Sequence, residues 1–101
     1  MLDKVQKIVG TIPSGRVTTY GEIGRVLRIH PRQVGRLLHQ NTDPAKYPCH
    51  RVVKSDGRVA SGYAFGGKEA QIAKLKAEGV RFEEDGIADF PSSFFRIKAI
   101  D

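Results

Sequence analysis

The sequence has few of the residues that hold small proteins together through covalent bonds or metals. Its 101 residues include one cysteine, which cannot form an internal disulfide. The histidines His30, His39 and His50 lack the spacing of metal ligands, so we expect no structural zinc site. No apolar run approaches the length of a transmembrane helix or of a signal-peptide core. These absences predict a cytoplasmic protein that makes no contact with a membrane.

The remaining composition is that of an ordinary soluble domain with an excess of positive charge. Hydrophobic residues make up 40% and charged residues 28% of the chain, and its length suits one domain spanning residues 1–101. The formal net charge is +6 and the pI is near 9.8. This excess favours a polyanionic partner, although many basic proteins bind no nucleic acid.

Helical periodicity dominates the first forty residues. Apolar residues at helical spacing between positions 2 and 12 predict an amphipathic helix that ends before a Pro-Ser-Gly turn. Thr19 stands three residues before Glu22, a capping box that begins a second helix, and Pro31 suits the first turn of a third. Two short helices joined by a tight turn, the second one basic, are typical of a helix-turn-helix. The alternative is a plain helical hairpin with a solvated basic face.

The second half of the chain predicts a small β component and one more helix. Residues 51–54 and 58–60 are expected to form a hairpin around a Ser-Asp-Gly turn. A fourth helix is expected from Lys68 to Glu78, with Gly79 as its C-cap. The four phenylalanines of the tail from Val80 to Asp101 should cover the core. The predicted fold class is therefore mainly α with a small β hairpin.

One dipeptide points to covalent chemistry. Cys49 is followed directly by His50, and a nearby cation or base lowers the pKa of a cysteine and favours the nucleophilic thiolate. The alternative is a small buried hydrophobe, because adjacent residues on an extended chain point to opposite faces.

The residues around this dipeptide carry a family resemblance. Pro48-Cys49-His50-Arg51-Val52 resembles the active-site signature of the O6-alkylguanine-DNA alkyltransferases, and it follows the predicted helix-turn-helix in the order of that family. The resemblance extends roughly from Leu2 to Gly79. It implies a mainly helical, winged-helix-like domain that is monomeric and acts on double-stranded DNA containing O6-alkylguanine without a cofactor. It also implies binding in the minor groove and flipping of the damaged nucleotide out of the duplex.

The resemblance assigns roles to individual residues. Cys49 matches the cysteine that accepts the alkyl group, and His50 and Glu78 match the residues that activate it, the histidine through a bound water. Asn41 matches the asparagine that braces the active-site turn, and Tyr20 the tyrosine that donates a proton toward the leaving base. Taken one at a time, Tyr20 could be an ordinary residue of a first helical turn, Asn41 a helix cap and Glu78 a solvated helix end.

The same resemblance predicts the contacts with DNA. Arg32 matches the arginine finger that fills the space left by the flipped nucleotide. Gln33, Arg36, Tyr20 and Arg51 are predicted to make further DNA contacts. The alternative for Arg32 is one of several contacts with phosphates.

Two departures from the family pattern affect the predicted function. Many family enzymes have an N-terminal domain before this one, and its absence here resembles the alkyltransferase-like proteins, which bind alkylguanine DNA and flag it for nucleotide excision repair. Those proteins usually have tryptophan or alanine in place of the cysteine, whereas Cys49 is retained. We therefore predict a single-turnover DNA alkyltransferase. The alternatives are a non-catalytic lesion sensor that recruits excision-repair proteins, and a DNA-binding regulator with a structural cysteine.

The second departure lies in a glycine-rich segment. Ser61-Gly62-Tyr63-Ala64-Phe65-Gly66 resembles the bacterial pattern Ser-Gly-Tyr-Arg-Trp-Gly, with Ala64 and Phe65 in place of the arginine and tryptophan. Ala64 is expected to widen the pocket and to admit adducts bulkier than methyl.

Overall fold

The computed structural model describes residues 1–60, 63–84 and 86–98. Within these ranges the elements are, in chain order, α1 (Leu2–Val9), β1 (Thr18–Thr19), α2 (Tyr20–Leu27), α3 (Pro31–Leu38), a 3₁₀ turn (Cys49–Arg51), β2 (Val52–Val53), α4 (Gly67–Ala77), β3 (Phe82–Glu83), β4 (Gly86–Ile87) and α5 (Phe90–Ser93). The predicted mainly helical fold with a small β component is confirmed. None of the helices in these ranges is long and apolar enough to cross a membrane.

The residues that begin α2 and α3 were predicted from local signals. The Thr19 hydroxyl accepts a hydrogen bond from the Glu22 amide at 3.0 Å, which caps the first turn of α2. The Glu22 carboxylate accepts hydrogen bonds from Arg25 and from the Ile97 amide, so the reciprocal half of the predicted capping box is wrong. Pro31 is the first residue of α3, as predicted. The hydrogen bond from the Ile97 amide to Glu22 also fastens the tail to α2.

The turn between α2 and α3 is tight because of one glycine. A Cβ atom on Gly24 would lie 2.5 Å from the Ile29 carbonyl oxygen, a distance that such atoms do not tolerate. Arg28 ends α2 in the left-handed conformation, with φ of 60°. This close approach packs α2 against α3 as the predicted helix-turn-helix pair.

The strands differ from the prediction in their partners. The Ser-Asp-Gly turn is present, since the Lys54 amide donates to the Arg58 carbonyl at 2.9 Å. However, β2 pairs in parallel with β1, Thr18 opposite Val52, and Arg58 bridges Gly86 instead. The predicted hairpin of residues 51–60 is therefore wrong, and the antiparallel hairpin of the structure is β3–β4. The β1–β2 pairing joins segments far apart in sequence, which no local pattern indicates.

The two residues of β2 enter different parts of the core. Val52 belongs to a cluster with the inner faces of α1, α2 and α3, and Val53 to a second cluster beneath α4 and the tail. The first cluster comprises Val5, Ile8, Val9, Ile12, Ile23, Val34, Leu38, Cys49, Val52 and Ile97. Phe82 and Phe90 cover the second cluster and Phe95 the first, as expected for the aromatic tail. The segment that begins at Cys49 thus lies between the two clusters.

Candidate functional site

Cys49 begins a 3₁₀ turn at the wall of an open cavity of about 390 Å³. Only 6% of the residue is exposed, and its neighbours in the cavity come from α2, α3, α4 and the segment before α4. The lining residues are Tyr20, Pro31, Arg32, Gly35, Leu38, His39, Cys49, Ala60, Tyr63, Ala64 and Gln71. The cavity therefore joins the thiol to the helix-turn-helix.

Two buried amide side chains fix the backbone around the thiol. The Asn41 side chain donates to the Tyr47 carbonyl at 2.8 Å and accepts from the Asp43 amide at 3.1 Å, so it braces the segment that leads to Cys49. The Gln71 amide donates to the His50 and Val52 carbonyls at 2.9 and 3.1 Å. Sequence reasoning missed Gln71. Its place one helical turn before the buried Leu75, on the inner face of α4, is the signal that could have found it.

His50, Glu78 and Arg51 form a connected group behind the thiol. His50 Nε2 lies 3.1 Å from Glu78 Oε2. Arg51 donates to both Glu78 oxygens, at 3.0 and 2.6 Å, and to the Ile12 carbonyl at 2.7 Å. Glu78 is the C-cap of α4, and its side chain turns back toward the site. The predicted pair of His50 and Glu78 is thus brought together.

Arg51 is placed differently from its prediction as a DNA contact. Its side chain is only 16% exposed, and its guanidinium is held by the Glu78 carboxylate and a backbone carbonyl. This arrangement speaks against a contact with DNA. It assigns Arg51 instead to orienting Glu78, since a bidentate arginine–carboxylate pair fixes the carboxylate geometry.

Burial and charge set the protonation of this group in opposite directions. Burial lowers the pKa of His50 below its ordinary value, although the Glu78 carboxylate acts in the other direction. Burial alone would raise the pKa of Glu78, but hydrogen bonds from Arg51 and His50 lower it. At neutral pH the site therefore holds a neutral imidazole beside an ionised carboxylate.

The two groups at the cavity are both held in their protonated forms. Burial raises the pKa of the Cys49 thiol, and hydrogen bonding from Asn41 and the charge of Lys74 counteract part of that effect. Burial also raises the pKa of Tyr20, and a negative charge on Cys49 would raise it further. The thiol accordingly needs a base before it can act as a nucleophile, whereas the Tyr20 hydroxyl is available as a donor.

His50 presents one nitrogen that the fold does not use. Its Nδ1 is buried, and the part of the chain that the structure describes offers it no hydrogen-bond partner. With Nε2 donating to Glu78, Nδ1 is the unprotonated nitrogen and can accept a proton.

The predicted DNA-contacting residues of α3 lie on its exposed face. Arg32, Gln33 and Arg36 are all exposed, and Arg32 also lines the cavity that contains Cys49. Ala64 lines the cavity as predicted. Ser61 and Gly62, the first residues of the glycine-rich pattern, lie outside the described residues. Among residues 1–60, 63–84 and 86–98, no group of three or more His, Cys, Asp or Glu side chains is placed to hold a metal ion.

The fold and the site together define a helix-turn-helix domain with a buried cysteine at a cavity beside its second helix. The family model described as the DNA binding domain of 6-O-methylguanine DNA methyltransferase matches residues 1–80. The chain belongs to this family, which confirms the resemblance found in the sequence.

Individual relatives divide into two kinds. The chain is 39% identical over 80 residues to a methylated-DNA–protein-cysteine methyltransferase of Methanothermobacter thermautotrophicus, covering 79% of this chain and 44% of the relative. It is 33% identical over 89 residues to alkyltransferase-like protein 1 of Schizosaccharomyces pombe, covering 86% of this chain and 82% of the relative. The chain thus spans less than half of the first relative and most of the second.

Solved structures show the same division. The S. pombe alkyltransferase-like protein in complex with damaged DNA containing O6-carboxymethylguanine superposes with a TM-score of 0.79 at 31% identity, covering 94% of both chains. The Mycobacterium tuberculosis methyltransferase in complex with DNA gives a TM-score of 0.69 at 34% identity, covering 76% of this chain and 48% of the other.

Proposed function

We propose that this protein repairs DNA by transferring the alkyl group of O6-alkylguanine to Cys49, once per molecule. The observation that carries the proposal is the arrangement at the cavity, where a protonated tyrosine accompanies a buried thiol whose neighbouring histidine is paired with a carboxylate. A structural cysteine would require neither the open cavity nor the paired histidine.

The first step creates the nucleophile. The thiol proton passes to His50 Nδ1 through a water molecule, because Nδ1 is the basic nitrogen and has no partner among the described residues. Glu78 stabilises the resulting imidazolium, and Arg51 keeps the carboxylate ionised and oriented. Burial lowers the pKa of His50, which keeps the imidazole neutral at physiological pH.

The second step transfers the alkyl group. A bond forms between the Cys49 sulfur and the alkyl carbon while the bond from that carbon to guanine O6 breaks. The electron pair remains on the guanine, which receives a proton at a ring nitrogen from the Tyr20 hydroxyl. The proton on His50 returns to Tyr20 by way of solvent, so the net products are guanine and a thioether. The reaction needs no cofactor to balance. The thioether is not cleaved back to the thiol, so each molecule reacts once.

Access to the buried alkyl carbon requires the nucleotide to leave the duplex. We infer that α3 binds in the minor groove and that the damaged nucleotide rotates into the cavity, at a cost of a few kcal/mol, about the range known for extruded bases. Arg32 supports this inference because it is both exposed on α3 and part of the cavity wall. It is placed to occupy the vacated stack while the base enters.

The direct test is the intact mass of the protein after incubation with duplex DNA containing O6-methylguanine. We expect a gain of one methyl group per molecule, which is absent in Cys49→Ala and with undamaged DNA. Because Cys49 is the only cysteine in the sequence, the added mass can be assigned to it by peptide mapping. An unchanged protein mass together with lesion-selective binding would contradict transfer of the alkyl group to Cys49.

One observation favours a second candidate, a non-catalytic lesion sensor that recruits excision-repair proteins. The structure superposes on the S. pombe alkyltransferase-like protein with a TM-score of 0.79 and on the M. tuberculosis methyltransferase with a TM-score of 0.69. The same mass experiment separates the two candidates. If the protein is a sensor, the native chain and Cys49→Ala both bind the lesion tightly and neither gains mass.

A further inference from the structure

Lys74 joins α4 to the wall of the cavity. Its ammonium donates a hydrogen bond to the Tyr63 hydroxyl at 2.6 Å. It also lies 5.1 Å from the centre of the Tyr63 ring and 5.8 Å from that of Phe65. The two rings contact each other edge to face at 5.7 Å. These three side chains form one unit, which we call the Lys74 clamp, and it fastens the segment before α4 to that helix.

The Lys74 clamp borders the proposed acceptor site. Tyr63 and Cys49 line the same cavity. Lys74 is half-buried, so its charge is less screened than that of a lysine in water. A charge held in such a place acts on the ionisable groups nearby.

The electrostatics of the site agree with this geometry. Burial raises the pKa of Cys49 and lowers that of His50, and the positive charge of Lys74 lowers the pKa of both. For Cys49 the Lys74 charge opposes burial and favours the thiolate. For His50 it adds to burial and favours the neutral imidazole. The charge of Lys74 thus stabilises the thiolate and keeps His50 unprotonated before the proton-transfer step, while it also makes the imidazole a weaker proton acceptor.

We propose that Lys74 is a positioning residue of the alkyl-acceptor site, whose ammonium holds the Tyr63 wall of the cavity in place and keeps a positive charge near the thiol. The proposal rests on the proposed function, because it gives the residue a role at the same Cys49. It gives a role to Lys74, a residue to which the family resemblance assigns none.

The test measures the pKa values of Cys49 and His50 in the protein without DNA. The pH dependence of Cys49 alkylation by iodoacetamide, followed by intact mass, gives the thiol pKa, and NMR titration gives that of His50. In Lys74→Met we expect both pKa values to rise. The alkylation rate at neutral pH should fall about twofold, because the loss of thiolate is partly offset by its greater nucleophilicity.

The direction of the Cys49 shift separates a charge effect from loosened packing. Added hydration would undo the effects of burial, and would therefore lower the pKa of Cys49 while raising that of His50. Only loss of a nearby positive charge raises both. An unchanged or lowered Cys49 pKa in Lys74→Met would overturn the proposal.

Three further variants ensure that the test does not depend on the folding of Lys74→Met alone. Lys74→Gln keeps a donor for the Tyr63 hydroxyl and removes the charge, so it should give the same two upward shifts even if Lys74→Met folds poorly. Lys74→Arg should restore native values. Lys76→Met, an exposed position on the same helix, should change neither. If the shifts appear but DNA transfers no methyl group, the proposed function fails while the assignment of Lys74 stands.

Discussion

Each ionisable residue around the thiol is kept in the state that the proposed reaction needs at its start. Burial keeps Cys49 and Tyr20 protonated and His50 neutral. Glu78 is kept ionised, because the hydrogen bonds from Arg51 and His50 overcome the effect of its burial, and this charge is the one that stabilises the imidazolium. The thiol therefore keeps its proton in the free protein, and the neutral His50 paired with Glu78 is the base that receives that proton in the proposed reaction.

The size of one side chain in the cavity should govern which adducts react. Ala64 lines the cavity, and a tyrosine there would fill space next to the reacting alkyl group. We expect Ala64→Tyr to slow transfer from O6-benzylguanine about tenfold relative to transfer from O6-methylguanine, within the range that pocket shape can supply. Single-turnover rates with the two lesions in the same duplex measure the ratio.

A matched control for this variant is Ala73→Tyr, which places the same side chain at an exposed position on α4. Its ratio of rates should equal that of the native protein. If the ratio of the benzyl rate to the methyl rate is the same in Ala64→Tyr as in the native protein, Ala64 does not set the size of the adduct admitted.

At the scale of the element, two glycines in α2 make opposite predictions. A Cβ on Gly24 would lie 2.5 Å from the Ile29 carbonyl oxygen, whereas one on Gly21 would meet only the Thr19 hydroxyl, at 3.9 Å. We expect Gly24→Ala to destabilise the fold by about 1–3 kcal/mol, the usual cost of overpacking. Gly21→Ala should stabilise it by up to about 1 kcal/mol, because alanine favours helix more than glycine does.

Denaturant unfolding of the two variants beside the native protein measures these changes. Because both replace a glycine of one helix by alanine, the difference between them reports the close approach of α2 and the turn. A neutral Gly24→Ala variant would mean that the turn relaxes without cost and does not depend on this contact.

The elements also indicate how far the sequence could predict the fold. The beginnings of α2 and α3 depend on residues within one helical turn, so Thr19 and Pro31 were sufficient signals. The partner of β2 and the contact of Glu22 with Ile97 depend on residues distant in the chain. Such contacts arise from packing of the whole core, which period and propensity do not encode.

The site divides along the same line. Cys49 and His50 are adjacent in a recognisable motif, and their predicted partners Glu78 and Asn41 lie close to the thiol segment in the structure. Gln71 and the inward turn of Arg51 were missed, because a glutamine on a helix and an arginine after a histidine are both ordinary surface residues in a sequence. The spacing of Gln71 before Leu75 indicates its burial, but the carbonyls that Gln71 binds and the pairing of Arg51 with Glu78 follow from the position of α4 across the turn.

At the scale of the whole molecule, the excess positive charge should act mainly through α3 in the proposed binding to DNA. Arg36 is exposed on that helix and does not line the cavity, so we assign it to a phosphate rather than to the damaged base. Arg36→Gln should reduce the salt dependence of DNA binding by about one in the logarithmic slope, as expected for the loss of one phosphate contact.

This loss should be the same for damaged and undamaged duplexes, because a phosphate contact carries no information about the base. Fluorescence anisotropy over a series of salt concentrations, with both duplexes, measures slope and discrimination together. Arg81→Gln removes the same charge from an exposed position after α4 and should leave the slope unchanged. If Arg36→Gln and Arg81→Gln weaken binding equally, net charge rather than the face of α3 controls affinity, and α3 is not the DNA-binding helix.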